Sequence, residues 1–235
     1  MADVHANLPA LRATLDRVKI EGCDLVVHLG DSIAIGPYPA ECLDLLLNTP
    51  RTTLIMGNHD AWYARGLPEP RPSWMTEGEV EHQQWTHDRI GPDLRRVVAQ
   101  WPYASEQVLE GVKMTFLHYG LTESGKDHAL VIRNPAAPDL DALFKGYGSG
   151  LIFYGHTHGL EDLQGRARYV SPGSLGCWGR AVARFTVLTV EDGKFLVERH
   201  GAPYDGDELY TQFEKCDVPA REFIYRVFFE GMYPR

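Results

Sequence analysis

Residues that commonly bind metal ions occur in five short motifs, which are spread along the first two thirds of the chain. The motifs supply carboxylate oxygens, an amide oxygen and imidazole nitrogens, and this mixture suits borderline divalent cations such as Mn²⁺, Fe²⁺, Co²⁺, Ni²⁺ or Zn²⁺. Half of the ten histidines fall within these motifs, a concentration that scattered surface histidines would not give. The candidate ligands are Asp3, His5, Asp31, Asn58, His118, His156 and His158. Together they predict a metal site.

The number of candidate ligands favours two metal ions over one. Seven groups exceed the needs of one octahedral ion once bound waters are counted. Two cations about 3.5–4 Å apart fit better, with Asp31 as the bridging carboxylate, and a water between them would be acidified towards hydroxide and attack phosphorus in line. An oxygenase with one metal, two histidines and one carboxylate is a weaker alternative, because it leaves Asn58, His118 and His158 without roles. The motifs therefore predict hydrolysis of phosphate esters.

Alternating helices and short apolar strands are predicted to carry these motifs. Apolar residues at steps of three and four over 8–18 indicate a helix with Asn7 as its N-cap. Continuous apolar runs predict buried strands at 25–29, 52–56 and 151–154, and each run stops at a motif. Because a helix predicted at 40–47 connects the first two of these strands, we expect an α/β fold whose sheet is partly parallel and gathers the polar groups at its carboxyl edge.

Residues 61–104 depart from this pattern and are predicted to form a small helical cap, inserted into a single domain that spans 1–235. A proline-rich loop precedes two helices predicted within 77–101, which are separated near Gly91. The tryptophans of this region are Trp62, Trp74, Trp85 and Trp101. Packing of the cap is their expected use, and stacking on a nucleobase is the alternative.

Antiparallel hairpins and a final helix are predicted for the remainder of the chain. A hairpin is expected within 106–118, turning at Glu110 and Gly111. A short helix at 139–144, hairpin segments at 161–170 and 183–199, and an apolar helix at 219–229 complete the prediction. The last helix would pack either on the body of the protein or on a second subunit, which would make a homo-oligomer.

Composition narrows the range of partners and compartments. The net charge of −9 argues against long nucleic acid or an anionic membrane as the main partner, although a bound metal would still permit a small phosphorylated substrate. The four cysteines match no zinc-binding spacing, which favours a reduced, cytoplasmic protein. We expect neither a membrane span nor a signal peptide, because no apolar run reaches 18 residues and no basic region opens the chain.

The five motifs, in the order D-x-H, G-D, G-N-H-D, a single H and G-H-x-H, resemble those of the calcineurin-like metallophosphoesterase family. The segment 171–174, Ser-Pro-Gly-Ser, is similar to the Asn-Pro-Gly-Ser turn of that family. The resemblance implies a four-layer α/β/β/α sandwich of two mixed sheets. It also implies the following ligand sets: Asp3, His5, Asp31 and His158 for metal one, and Asp31, Asn58, His118 and His156 for metal two. His59 would contact the phosphate and assist the leaving group, with Asp60 orienting its ring.

The G-D motif, which follows the strand predicted at 25–29, points to one branch of this family. Ser/Thr protein phosphatases carry an arginine shortly after G-D, whereas Gly30-Asp31 is followed here by Ser-Ile-Ala-Ile-Gly-Pro. The chain looks more like the small prokaryotic phosphodiesterases, so we expect a phosphodiesterase acting on small nucleotide-type substrates with two divalent ions, Mn²⁺ first among them. The alternatives are a Ser/Thr-type phosphomonoesterase, a dinucleoside polyphosphate hydrolase and a catalytically silent scaffold. Arg180 is the arginine predicted to bind phosphate oxygens, with Asn58 and His59.

The remaining histidines and the start of the chain receive structural predictions. His28 lies inside an apolar strand and is expected to be a hydrogen-bonded core residue. The histidines expected at the surface are His82, His87, His128 and His200. Relatives in this family carry a full strand before the first motif, whereas two residues precede Asp3. We expect further residues upstream, because neighbours of a shortened central strand keep unpaired N–H and C=O groups; a truly short first strand, holding metal one poorly, is the alternative.

Overall fold

The structure is a computed structural model that describes residues 1–125, 127–230 and 232. Its helices are α1 (Leu8–Ile20), α2 (Pro39–Leu47), α3 (Asn58–Arg65), α4 (Glu77–Ile90), α5 (Arg95–Val98), α6 (Ala137–Leu143), α7 (Gly206–Lys215) and α8 (Arg221–Phe228). Its strands are β1 (Val26–His28), β2 (Thr52–Leu54), β3 (Ala104–Leu109), β4 (Val112–Leu117), β5 (Leu151–Phe153), β6 (Leu160–Gln164), β7 (Arg168–Pro172), β8 (Val182–Glu191) and β9 (Lys194–Pro203). The described helices and strands thus include every element that the sequence predicts, together with α3 and α7, which it does not.

Among the described residues, the largest sheet is mixed, as predicted, and the other strands pair two by two. One sheet has the order β3-β4-β5-β7-β6, in which the central pairs β4–β5 and β5–β7 are parallel and the outer pairs are antiparallel. The strands β1 and β2 pair in parallel, and β8 and β9 form a long antiparallel hairpin. Parallel pairing brings the carboxyl ends of neighbouring strands to the same edge, which is where the motifs begin.

Three apolar clusters separate four layers. Leu29 and Phe153 belong to the cluster between the sheets. On one outer face, α1 packs through Leu11 against Phe185 of β8. On the opposite outer face, Phe144 follows α6 and packs against the five-stranded sheet. The layer order is therefore helix, sheet, sheet, helix, which confirms the predicted α/β/β/α sandwich.

Residues 1–3 lie between β1 and the turn that follows β7. The Met1 ammonium donates to the Val27 carbonyl (3.0 Å), and the Asp3 amide donates to the Gly30 carbonyl (3.0 Å). On the other side the Leu175 amide donates to the Ala2 carbonyl at 2.9 Å. These backbone bonds fix the position of Asp3.

The cap region and the tail both pack on the body. Around α3, α4 and α5, Tyr63 and Trp101 are buried in a common cluster, while Trp74 is 54% exposed. The tail helix α8 packs with α7 around Phe213 and Phe229, which favours the first of the two arrangements expected for it. Nothing in these contacts tests the boundaries predicted for the cap, and they stay a prediction.

The prediction that His82 and His87 lie at the surface is wrong. Both point inward from α4 and are 3% and 6% exposed. His82 Nε2 accepts a hydrogen bond from the Ile35 amide (2.7 Å), and its Nδ1 lies 3.1 Å from the Pro219 carbonyl. Polar side chains can be buried where the interior supplies hydrogen-bond partners, so polarity alone did not indicate which face of this helix is exposed.

Among the described residues, no helix is long and apolar enough to cross a membrane.

Candidate metal centre

Loops at the ends of neighbouring strands carry most of the predicted ligands. Asp31 follows β1 and Asn58 follows β2, and these two strands are parallel neighbours. His118 follows β4 and His156 follows β5, which are also parallel, and the Gly155 amide donates to the His118 carbonyl at 2.8 Å. The pairing of the strands therefore brings ligands that are far apart in the sequence to one edge.

The backbone is held in an unfavourable conformation at five of these positions. Positive φ angles occur at Asp3 (54°), His5 (47°), Asp31 (57°), His156 (69°) and His158 (58°). A side chain other than glycine costs about 1–2 kcal/mol in this left-handed region, because Cβ approaches the carbonyl oxygen. Such costs persist where the surrounding structure enforces them and are concentrated at functional sites.

The first group of ligand atoms lies around His5. Its Nε2 is 2.9 Å from His158 Nε2, 3.9 Å from Asp3 Oδ1 and 3.7 Å from Asp31 Oδ2. His158 Nε2 is also 3.7 Å from Asp3 Oδ1. The side chains predicted to bind metal one therefore converge.

The second group lies around His118. Its Nε2 is 3.3 Å from Asp31 Oδ2, 3.1 Å from His156 Nδ1 and 3.2 Å from Asn58 Oδ1. Asp31 Oδ2 is thus close to a histidine of each group, which is the position expected of a bridging carboxylate. The side chains predicted to bind metal two also converge.

The hydrogen bonds behind these ligands direct their lone pairs into the site. His5 Nδ1 lies 3.3 Å from the Ile33 carbonyl and His118 Nδ1 lies 2.8 Å from the Leu29 carbonyl, so in each ring Nδ1–H donates and Nε2 faces the other ligands. Carbonyls that fix the tautomer of a ligand histidine in this way are usual behind metal sites. Asn58 Oδ1 lies 3.2 Å from His118 Nε2 and also faces His156 Nδ1 and Asp31 Oδ2. Amide oxygen, carboxylate oxygen and imidazole nitrogen are ligand types that borderline divalent ions accept, so these residues fit the two ions that the motifs imply.

The charges in the site complement a cation. Burial lowers the pKa of His158 to about 4, and it lowers the pKa of His5 and His156 well below the usual value, so these rings are neutral ligands. Burial raises the pKa of Asp3 to about 7. Burial alone would raise the pKa of Asp31, but the nearby rings of His118 and His59 hold it well below the usual range. Burial alone would lower the pKa of His118, but the nearby Asp31 carboxylate raises it to about 9.

Asp60 contacts backbone amides and not the ring of His59. Its carboxylate accepts from the amides of Asp31 (2.8 Å), Ser32 (3.1 Å) and Gly57 (3.1 Å). The expected contact with His59 is therefore wrong, because a buried carboxylate beside three free amides is best satisfied by them. Asp60 instead ties the loop of Asp31 to the loop of His59.

Gln83 of α4 occupies the place expected of Asp60. Its Nε2 lies 2.8 Å from His59 Nδ1, and the His59 amide donates to Asp31 Oδ1 at 3.0 Å. Because Gln83 lies on the cap, 24 positions from His59, no local motif indicated this contact.

Arg180 and Arg184 both lie close to the ring of Trp178. Arg180 is exposed, and its guanidinium carbon is 5.4 Å from the centroid of that ring. Arg184 is partly buried and donates to the carbonyls of His158 (3.1 Å), Ser174 (3.2 Å) and Cys177 (3.3 Å). Phosphate binding by Arg180 stays a prediction, and Arg184, which the sequence did not single out, supports the backbone of a ligand loop.

His128 and Cys177 are further neighbours that the sequence analysis did not place at the site. The ring centroid of His128 is 5.0 Å from that of His118, and burial lowers its pKa to about 3. The residue is thus partly buried, with its ring turned towards His118, and does not lie fully at the surface as predicted. The segment around it has little apolar character, which is why its burial was not expected. One donor atom of Cys177 lies within 4.8 Å of donor atoms of His5 and His158.

Aromatic side chains border the site on two sides. On the cap side, the ring centroid of Trp62 is 4.8 Å from that of His59 and 6.0 Å from that of Trp74. On the tail side, Phe228 of α8 has its ring centroid 5.8 Å from that of His158. The cap and the tail therefore each bring an aromatic surface to the edge of the ligand cluster.

Comparison with known proteins agrees with the family that the sequence motifs resemble. The family model described as the calcineurin-like phosphoesterase superfamily domain matches residues 1–193. The uncharacterized protein MJ0912 of Methanocaldococcus jannaschii is 25% identical over an alignment of 242 positions, which covers 93% of this chain and 92% of that protein. The crystal structure of hypothetical protein PH1004 from Pyrococcus horikoshii is similar with a TM-score of 0.79 at 19% identity, covering 97% of this chain and 96% of that one. A metallophosphoesterase from Sphaerobacter thermophilus is similar with a TM-score of 0.70 at 20% identity, covering 99% and 98%. At these identities, the two structures show a shared fold.

Proposed function

This chain belongs to the calcineurin-like phosphoesterase superfamily and is a metal-dependent phosphoesterase, and from this premise we propose that it hydrolyses small nucleotide-type phosphodiesters with two divalent metal ions. We further propose Mn²⁺ as the preferred ion, with Fe²⁺, Co²⁺, Ni²⁺ or Zn²⁺ as substitutes that the same ligand chemistry accepts. The substrate and the metal are the parts of this statement that need experiment.

The observation that carries the proposal is the position of the Asp31 carboxylate. Its Oδ2 is 3.7 Å from His5 Nε2 and 3.3 Å from His118 Nε2, and these two nitrogens belong to separate groups of ligand atoms. One carboxylate oxygen shared by two groups is the arrangement that a pair of neighbouring cations requires.

Each candidate site residue has a proposed role that agrees with its contacts. Asp3, His5, Asp31 and His158 would hold one ion, and Asp31, Asn58, His118 and His156 would hold the other. When bound, the two ions supply positive charge at the phosphate and lower the pKa of a water nucleophile. His59, whose Nδ1 is engaged by Gln83, directs its other ring nitrogen to the substrate and donates to the leaving oxygen. Asp60 keeps the loops of Asp31 and His59 in register through its three amide contacts.

The aromatic borders support a nucleotide-type substrate. Trp62 and Trp74 on the cap and Phe228 on the tail flank the ligand cluster from two elements outside the central sheets. Stacking of a base on an aromatic side chain contributes roughly 1–3 kcal/mol and tolerates any base. A diester with a nucleobase on either side of the phosphate would use both borders, whereas a phosphoserine peptide would not.

The remaining parts of the proposal concern the partners, the cellular location and the oligomeric state of the enzyme. The acidic chain favours a small substrate over long nucleic acid, and we propose no membrane partner. The four free cysteines support a cytoplasmic location. Phe223 and Val227 of α8 are 47% and 48% exposed, which supports a homo-oligomer formed through this helix.

Hydrolysis of two model esters tests the proposal. Bis-p-nitrophenyl phosphate and p-nitrophenyl phosphate would be assayed with Mn²⁺, with His59→Ala as the test variant and His200→Ala as the control. His200 lies on β9, beside Glu21 at 3.6 Å, away from the ligand cluster. We expect the wild type to prefer the diester. His59→Ala should lose activity, and the control His200→Ala should keep the activity of the wild type.

Other outcomes identify the alternatives. A preference for the monoester would favour a phosphatase of the Ser/Thr type. Faster turnover of dinucleoside polyphosphates than of any diester would favour that class of hydrolase. No turnover with any of the five metals, together with less than one bound metal per chain, would identify a catalytically silent scaffold.

A further inference from the structure

We propose that Gln83, on the cap helix α4, is a positioning residue for His59: it holds the ring and keeps the imidazole proton on Nε2, the nitrogen that faces substrate. The placement of the proton stands on the geometry alone, whereas its catalytic consequence rests on the proposed function. The cap would then help to position His59, in addition to covering the active site.

The direction of the hydrogen bond follows from a third residue. Gln83 Nε2 lies 2.8 Å from His59 Nδ1 and 2.9 Å from Glu79 Oε1. A carboxylate accepts and an amide nitrogen donates, so Glu79 determines which end of the Gln83 amide faces His59. His59 Nδ1 must therefore accept, and the proton of the neutral ring lies on Nε2.

The opposite orientation of the amide is disfavoured. Gln83 is fully buried, and its Oε1 has no hydrogen-bond partner among the described residues. Rotating the amide would bring that oxygen against the Glu79 carboxylate, which repels it. An unsatisfied buried oxygen costs about 1–3 kcal/mol, a cost that a side chain serving packing alone would avoid by being apolar.

The helix that carries Gln83 is itself anchored to the site. His82, the preceding residue, accepts from the Ile35 amide, which lies in the loop after Asp31, and bonds the Pro219 carbonyl before the tail helix. Trp62 also contacts the His59 ring, edge-on at 4.8 Å between centroids. The His59 ring is thus fixed between α4 and Trp62, and its position depends on the docked cap.

A neutral Nε2–H donor stabilises charge on a departing oxygen without transferring a full proton. Stabilising this charge lowers the barrier to departure of the oxygen, including the sugar alkoxide of a nucleotide diester. We therefore expect Gln83 to affect the chemical step, with little effect on substrate affinity or metal content.

Two variants and one matched control separate positioning from structural support. Gln83→Leu retains the size of the side chain and removes the donor, and Gln83→Ala also removes the bulk. Gln84→Ala is the control, because Gln84 is the next residue on the same helix and its amide donates outward to Asp88 at 2.7 Å.

The first measurement is the position of the proton. Histidine-selective ¹⁵N labelling and ring ¹H–¹⁵N correlation spectra of the Zn²⁺-loaded protein distinguish Nδ1–H from Nε2–H. We expect the Nε2–H form for His59 in the wild type and in Gln84→Ala, and a mixture of forms in Gln83→Leu. An unchanged Nε2–H form in Gln83→Leu would overturn the proposal whatever the activities are.

The second measurement is a double-mutant cycle in turnover of bis-p-nitrophenyl phosphate. We expect Gln83→Leu to lower kcat roughly 10- to 100-fold with KM and bound metal unchanged, as for other residues that orient a reacting group. In the His59→Ala background the same substitution is expected to have no further effect. An equal loss in both backgrounds, or a change confined to KM, would overturn the positioning role.

The two proposals fail in distinguishable ways. Full activity in His59→Ala would contradict the role given to His59 in the proposed function, and the spectra would still decide where Gln83 places the proton.

Discussion

Acid should detach the cap before the rest of the protein unfolds, because His82 docks it as a neutral ring. His82 Nε2 accepts from the Ile35 amide at 2.7 Å, and Nδ1–H donates to the Pro219 carbonyl at 3.1 Å. A protonated ring would lose the first of these bonds, since both nitrogens would donate. Burial lowers the pKa of His82 to about 4, and the nearby Glu79 carboxylate opposes this shift only in part.

The size and sign of the effect follow from the two pKa values. The folded-state pKa of about 4 lies below the ordinary value of 6.5, so the unfolded chain binds the proton more tightly. Stability from His82 is therefore fully present above pH 6.5 and is lost as the pH falls towards 4. At 1.36 kcal/mol per pKa unit, the loss is roughly 3 kcal/mol.

Chemical denaturation as a function of pH tests this reasoning. Urea unfolding of wild type and His82→Gln would be followed by tryptophan fluorescence between pH 7.5 and 4.5. The Trp85 ring stacks on His82 at 6.1 Å between centroids and reports locally. Glutamine does not titrate, and the other buried histidines titrate equally in both proteins, so the difference isolates His82.

At pH 7.5 the variant should be less stable than wild type by about 1–2 kcal/mol, because its hydrogen bonds are poorer. This difference should vanish or reverse towards pH 4.5. A difference in unfolding free energy that stays constant over the whole pH range would contradict this role of His82. As a control, the unfolding free energy of His200→Gln should vary with pH as that of the wild type does.

Three further substitutions test other parts of the site. Asp31→Asn should reduce bound metal from two ions to one or none and lower turnover more than about 100-fold; two ions retained by metal analysis would contradict its bridging role. Arg184→Met leaves the carbonyls of His158, Ser174 and Cys177 without their donor. It should lower the unfolding free energy by roughly 2–3 kcal/mol in urea, and a loss below 0.5 kcal/mol, on the order of a surface substitution, would contradict that support. Phe228→Ala should raise KM for dinucleotide diesters by about 5- to 100-fold and leave KM for glycerophosphodiesters unchanged; equal changes for both substrates would remove the argument for stacking.

Features that depend on neighbouring residues could be predicted from the sequence. Asn7 caps α1 as expected, with its Oδ1 accepting from the Ala10 amide at 3.1 Å. The hairpin of β3 and β4 turns at Glu110 and Gly111, where Leu109 pairs with Val112. Apolar runs and turn residues encode these elements locally, and the strands they define bring the motifs to one edge of the sheets.

Features that depend on distant partners could not be predicted in the same way. His82 looks like a surface residue of a polar helix, yet its partner Pro219 is 137 positions away. The expected pairing of Asp60 with His59 followed from their adjacency, whereas the folded chain offers Asp60 three amides and offers His59 the side chain of Gln83. Burial of polar groups becomes favourable only when the tertiary structure supplies these partners, and a single sequence does not show which they are.

Anomalous diffraction from Mn²⁺-loaded crystals would show whether two cations share the Asp31 carboxylate. We expect two anomalous peaks about 3.5–4 Å apart. One should lie among Asp3, His5 and His158, the other should lie among Asn58, His118 and His156, and Asp31 should stand between them. A single peak, or two peaks that do not share Asp31, would contradict this arrangement.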